Sequence, residues 1–239
     1  MSRLRALLLS ALLLGGLSAA RPVSADPAVY DPWETYNRAV FSFNNGFGNG
    51  LLEPLRQAYV GNVPSGTRAG IANVFANLRE PWTAVSSVLR ADLPNARAAA
   101  GRFLVNSTAG IGGWYDVAAE RYELTSRYDD LGNVLCSWGL KSGPYMVLPF
   151  FGPMTARDLV GRAATMAGTY SVLGMDGYIL YRSTDGTVRY LEDGFIGPYA
   201  RDPSKDAYAI ERTLYATVRE RQCAGGVVPP TSPYGLDQQ

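Results

Sequence analysis

Apolar positions recur at helical spacing along most of this chain, and two stretches break that rhythm. Trp33, Tyr36, Asn37, Val40, Phe41, Asn44 and Phe47 fall on one helical face. Before them, Asp31 suits an N-cap, Pro32 a first helical position, and Glu34 completes a capping box. The two asparagines in this aromatic face read as hydrogen-bonded amides within a core, and Gly46, Gly48 and Gly50 predict the helix end. A short helix is predicted from about Leu51 to Val60, then one from Pro64 to Leu78 with Ile71, Val74, Phe75 and Leu78 on one face. Glu80-Pro81 predicts a break and a restart to about Arg90, because proline lacks a donor and restricts the residue before it. Asp92-Leu93-Pro94 opens the next helix, carrying Ala96, Ala99, Phe103 and Leu104 to about Asn106. Asp129 and Asp130 introduce a helix with Val134, Leu135 and Trp138. Thr155 and Asp158 form a second capping box for a helix reaching about Tyr170. The last helix, about Ser204 to Gln222, presents Tyr208, Leu214, Tyr215 and Val218. The expectation is a mainly α, single domain of many short helices.

The first exception is Leu140 to Asp158, LKSGPYMVLPFFGPMTARD. Tyr145, Met146, Val147, Leu148, Phe150 and Phe151 form a dense apolar run, but Pro144, Pro149 and Pro153 forbid one continuous helix. The run does not alternate as a half-buried strand would. Such a segment belongs either inside a core or against a membrane, where irregular backbone needs cover from protein or water. The second exception is Gly174 to Gly197. There Tyr178–Arg182 and Val188–Leu191 flank Asp185-Gly186, a hairpin signal that places a possible short β-hairpin near 178–191. Between the helices, Ala109 to Tyr115 is small and apolar, and Gly110, Gly112 and Gly113 would allow close approach or a hinge.

Composition sharpens this picture. Charged residues make up 18 % of the 239, against roughly 25 % in ordinary soluble domains. Residues 1–25 read as a cleavable signal peptide. Arg3 and Arg5 precede an uncharged run from Ala6 to Ala20, shorter than a membrane span, and Val23-Ser24-Ala25 supplies the small residues of a cleavage site. No cysteine lies there for a lipid anchor. Residues 26–222 read as the folded domain and 223–239, rich in proline and glycine, as a disordered tail. Without Arg3, Arg5 and Arg21 the chain keeps 19 basic and 21 acidic side chains, a near balance that gives no support for nucleic-acid binding. Cys136 and Cys223 could pair in an exported protein or remain two buried thiols.

The chemistry the chain lacks narrows its function. It contains no histidine, which removes Ser-His-Asp and Cys-His nucleophilic systems and imidazole metal sites. Lys141-Ser142 follows Leu140, not glycine, so no phosphate loop is present. Neither cofactor nor metal is expected, and nothing points to an enzyme.

Several segments together resemble the MlaA/VacJ family of outer-membrane phospholipid-transport proteins. They are DPWETYNRAVFSFN (Asp31 to Asn44), NVFANLREPWTAVSSVL (Asn73 to Leu89), GRFLVNSTAGIGGWYDVA (Gly101 to Ala118) and LGNVLCSWGLKSGPYMVLPFFGPMTARDLVG (Leu131 to Gly161). A weaker match is DAYAIERTLYATVRER, Asp206 to Arg221. The resemblance implies a helical ring in the inner leaflet of the outer membrane, beside trimeric porins. It further implies removal of phospholipid misplaced in the outer leaflet, delivery to a soluble periplasmic carrier, and maintenance of lipid asymmetry. By motif match, lipid passage falls to Phe43, Asn44 and Asn45, to Gly110, Gly112 and Gly113, to Gly143, Pro144 and Tyr145, and to Phe150, Phe151 and Gly152. Two departures stand out. Many relatives carry a lipidated cysteine, whose acyl chains contribute about 0.8 kcal/mol per buried CH₂. Roughly 400 Å² of apolar protein surface placed in lipid would offset that with about 10 kcal/mol. Relatives also look helical over Gly174 to Gly197, where Gly186 and Gly194 here disfavour helix. The competing readings are a soluble periplasmic binding or scaffold protein whose apolar loop is core, and a lipid hydrolase using Cys136.

Overall fold

The computed structural model describes residues 29–193 and 205–225. The expected signal peptide lies outside them. So does most of the expected tail, although Cys223 closes the last helix and Ala224 and Gly225 are described.

Helix α1, Glu34–Phe47, does not end at its glycines. It widens into a π-helical turn, Gly48–Leu52, in which the Glu53 amide reaches back to the Gly48 carbonyl, and continues as α2, Glu53–Asn62. The expected capping box is also absent. Trp33 occupies the N-cap with no side-chain cap bond. Asp31 instead accepts from Asn37 Nδ2 at 2.7 Å, from Arg212 at 2.9 Å and from the Tyr208 hydroxyl. A carboxylate with three donors, two of them from the far end of the chain, is no longer free to cap.

Helix α3 is one continuous element, Ser65–Leu89, with Pro81 inside it. Tertiary bonds just before the proline, and one from Trp82 Nε1 to Thr169 Oγ1 at 3.0 Å just after it, hold the helix through it. Asn77 Nδ2 donates to Ser107 Oγ at 2.9 Å, and Arg102 donates to Glu80 at 2.6 Å. Helix α4, Leu93–Thr108, starts at Asp92, which accepts from the Asn95 amide as its sequence predicts. The short helices α5, Val117–Tyr122, and α6, Leu131–Ser137, are capped in the same way by Asp116 and Asp130.

Tyr145–Leu148 (β1) and Gly152–Thr155 (β2) pair antiparallel, Tyr145 opposite Thr155 and Leu148 opposite Gly152. The apolar run thus alternates after all. Tyr145 and Val147 are buried, while Met146 and Leu148 are partly covered. Its prolines fall where strands tolerate them: Pro149 in the turn and Pro153 in β2. The expected hairpin near 178–191 is helix. Helix α7 runs Ala156–Asp193, interrupted at Gly174 (φ 69°, ψ −179°), a backbone that favours glycine. Its second arm packs at helical spacing. Tyr181 stacks on Phe75 at 6.5 Å, Asp185 accepts from Arg79 at 2.7 Å, and Val188 is buried. Helix α8, Ala207–Cys223, returns across the hairpin, and Val40, Tyr145, Val147, Met154, Tyr208 and Tyr215 form the core between them.

Candidate functional site

The hairpin is held to α1 by two asparagines that act as backbone surrogates. Asn37 Nδ2 donates to the Tyr145 carbonyl at 3.2 Å, while its Oδ1 accepts from the Val147 amide at 2.9 Å. Asn44 repeats the pattern, donating to the Leu148 carbonyl at 3.1 Å and accepting from the Phe150 amide at 2.9 Å. The spacing follows from the rise of the helix. Seven helical residues advance about 10.5 Å, two turns, which carries the second amide from the strand to the turn that follows it. Asn37 therefore covers the edge of β1 that β2 leaves open, and Asn44, two turns on, covers the turn from Leu148 to Phe151.

Beyond the clamp, the turn projects outward. Phe150 packs edge-on against Phe43 at 5.3 Å and Phe47 at 5.2 Å, yet Phe150 and Phe151 remain 62 % and 63 % exposed. Phe150 itself has φ 64°, a left-handed conformation that aims the turn away from the sheet. The structure thus gathers Phe43, Asn44 and Phe150, with exposed Phe151 and buried Gly152 adjoining in the turn and Asn45 partly buried beside Asn44. Tyr145 belongs to the core, with no exposed surface. Gly143 (φ 70°) and Pro144 sit at the hairpin base, where the Pro144 carbonyl accepts from the Ala156 amide at 3.0 Å. Gly110, Gly112 and Gly113 form a separate loop on α3 and α4. A Cβ on Gly113 would stand 2.7 Å from that of Asn77, and one on Gly110 would stand 2.3 Å from the Tyr115 carbonyl, so close approach explains both glycines.

Behind the hairpin lies a buried ionic cluster. Arg219 donates to Asp130 at 2.8 Å and to Asp158 at 2.8 Å, and Asp158 also accepts from Tyr215 at 2.7 Å and Thr155 at 2.8 Å. Burial would raise the Asp158 carboxyl, but Arg219 and the two hydroxyl donors hold it down to about 2. The same burial pushes the Tyr215 phenol upward. Gly132 and Gly161 let α6 and α7 meet over this cluster, since a Cβ on Gly161 would lie 2.4 Å from the Gly132 nitrogen.

Polarity is inverted on several helices. The buried residues of α3 are Gly70, Asn77, Glu80, Thr83, Ser86 and Ser87, while Leu78, Val85, Val88 and Leu89 face outward. On α4, Asn95, Arg102 and Asn106 are buried with two alanines, and Leu93 and Leu104 are exposed. Leu78 and Leu104, which the helical period groups with other apolar residues, are thus exposed. Around Gly174, Met166, Tyr170, Val172, Leu173, Met175, Ile179 and Leu180 are all exposed, with Val172 at 81 %. Among the described residues, 29 large hydrophobic side chains are exposed, whereas buried polar or charged residues number 19 against 12 hydrophobic ones. Scattered exposed hydrophobics are ordinary, but contiguous ones mark a contact surface. No helix among the described residues is long and apolar enough to cross a membrane. Nor do the described residues hold a group of cysteine, aspartate or glutamate suited to a metal ion.

The chain belongs to the MlaA family: the family model described as "MlaA lipoprotein" matches residues 29–222. It is 34 % identical over 174 residues to the intermembrane phospholipid transport system lipoprotein MlaA of Escherichia coli K12, covering 72 % of this chain and 68 % of that one. The Shigella flexneri protein of the same name is 30 % identical over 210 residues, covering 81 % and 83 %. An uncharacterised protein of Rickettsia conorii is 36 % identical over 199 residues, covering 80 % and 77 %. A solved chain described under "Structural basis for maintenance of bacterial outer membrane lipid asymmetry" superposes with a TM-score of 0.68 at 28 % identity, covering 81 % of this chain and 98 % of that one.

Proposed function

We propose that this protein is the outer-membrane component of a phospholipid transport system. It removes phospholipid mislocalised to the outer leaflet and passes it to a periplasmic carrier, which maintains outer-membrane lipid asymmetry. The observation that carries the reading is the inverted polarity of α3, α4 and the α7 arms, whose outward faces are apolar and whose inward faces are polar. Water alone does not favour that arrangement. A surrounding of acyl tails does, because about 400 Å² of apolar surface moved into lipid contributes about 10 kcal/mol.

Cys136 and Cys223 are joined to each other, so neither carries an acyl chain, and the outward apolar surface offers membrane attachment of its own. The protein follows a cleavable signal peptide to the periplasmic face of the outer membrane, beside a trimeric porin. Phe43, Phe150 and Phe151 offer aromatic contact for tails at one rim. The reading requires no catalytic step and no cofactor. Deleting the gene is expected to raise surface-exposed phospholipid, and the wild-type gene to restore it. The purified protein is expected to carry phospholipid by mass spectrometry. An unchanged surface together with lipid-free protein in the soluble periplasm would instead identify a soluble binding or scaffold protein.

A further inference from the structure

Helix α8 is a strap tied down at both ends. At its start, Arg212 reaches Asp31 and Glu34, and Arg38 pairs with Asp206 at 2.7 Å. Along the same helix, the Tyr208 and Tyr215 rings lie 6.3 and 6.1 Å from the ring of Tyr145 and cover the hairpin. At its end, Arg219 enters the ionic cluster, and Arg90 donates to the Gln222 and Cys223 carbonyls at 3.2 and 2.8 Å. Cys223 is bonded to Cys136 on α6, 87 residues away in sequence.

Most of these attachments are polar. The buried residues of α8 are Tyr208, Tyr215, Val218, Arg219 and Gln222, so little purely apolar surface holds the strap. A buried ion pair contributes little net stability, because desolvation offsets most of the attraction. A covalent link across so long a loop acts differently, since it keeps the strap near its seat whatever those pairs do. Both cysteines are only half-buried, and Ser137, Trp138 and Ala224 beside them are exposed, so a thiolate can approach.

We propose that Cys136–Cys223 is a site of thiol–disulfide exchange with a dithiol–disulfide oxidant protein, and that its oxidation state decides whether α8 stays docked over the β-hairpin. Forming the bond takes two electrons and two protons from the two thiols, and the oxidant's own disulfide leaves as a dithiol. An external dithiol runs the same exchange backward through a mixed disulfide. The inference is independent of the lipid reading.

Hydrogen exchange of the whole protein tests it, with the oxidised form compared with protein held in excess dithiothreitol and with the Cys136→Ser/Cys223→Ser variant. Mass measurement should find two thiols per chain after reduction under native conditions. Amides of 207–223 and 145–155 should then exchange at least tenfold faster, while those of α3 and α4 stay unchanged. Oxidised glutathione should restore protection to the reduced protein and not to the variant. A bond that resists the reductant, protection unchanged after reduction, or protection lost in every element together would each overturn the proposal.

Discussion

Where α1, the β-hairpin and α8 meet, charged and amide side chains lie inside and most of their polar atoms are matched donor to acceptor. Around Gly174, on the two arms of α7, Val172, Leu173, Met175, Ile179 and Leu180 stand outside with nothing over them. The first region holds the fold by satisfying buried polar groups, each of which is costly to leave unpaired. The second contributes little to the isolated fold. Its apolar surface is stabilised only when something apolar covers it. Substitutions should therefore separate the regions, with large losses of stability at the first and small ones at the second.

The largest effect is expected at Arg219. Arg219→Met leaves the buried Asp158 and the half-buried Asp130 without their cation, which should cost about 3 to 5 kcal/mol in chemical denaturation. Asn37→Ala strips the Tyr145 carbonyl and the Val147 amide of their partner and should cost about 3 kcal/mol. Acid should probe the same corner. The Asp158 carboxyl sits at about 2 in the fold against an ordinary 3.8, so its stabilisation is complete above about pH 4 and is lost as pH falls towards 2. Side-chain burial there is nearly complete, so about 2 kcal/mol should disappear across that window in melts taken at stepped pH. Asn44→Ala should cost less, about 1 kcal/mol, because water can reach the turn and replace part of the bond, and it should speed exchange of the Phe150 amide. Smallest of all, Val172→Asp and Leu180→Asp should each change stability in aqueous buffer by under about 0.5 kcal/mol.

The contrast also explains what the sequence did and did not make legible. The aspartate caps at Asp92 and Asp130 and the Thr155–Asp158 box were readable because capping is local. Asp31 misled for the opposite reason: Tyr208 and Arg212, about 180 residues on, claim its carboxylate. Pro81 suggested a break, yet packing between α3 and α4 carries the helix through it. On the second α7 arm the core-facing positions include Asp185 and glycine occurs at 186, so period and propensity pointed away from the helix that ion pairing with Arg79 supports. The asparagine clamp was half legible. Asn37 and Asn44 share the face that the 3.6-residue period picks out, but their strand partners lie more than 100 residues away. Of the proposed passage residues, Phe43, Asn44 and Phe150 converge, whereas Gly110 and Gly113 serve a separate close approach.

The most direct test of the outward apolar surface is vesicle flotation of the wild type and the Val172→Asp/Leu180→Asp double variant with phospholipid vesicles. Carboxylates in the acyl region cost about 2.5 to 3.5 kcal/mol each at full depth and less near the interface. The wild type should float with the vesicles. The double variant, with an unchanged thermal melt, should float at least tenfold less. A wild type that stays in the soluble fraction, or a variant that floats as well as the wild type, would contradict the account.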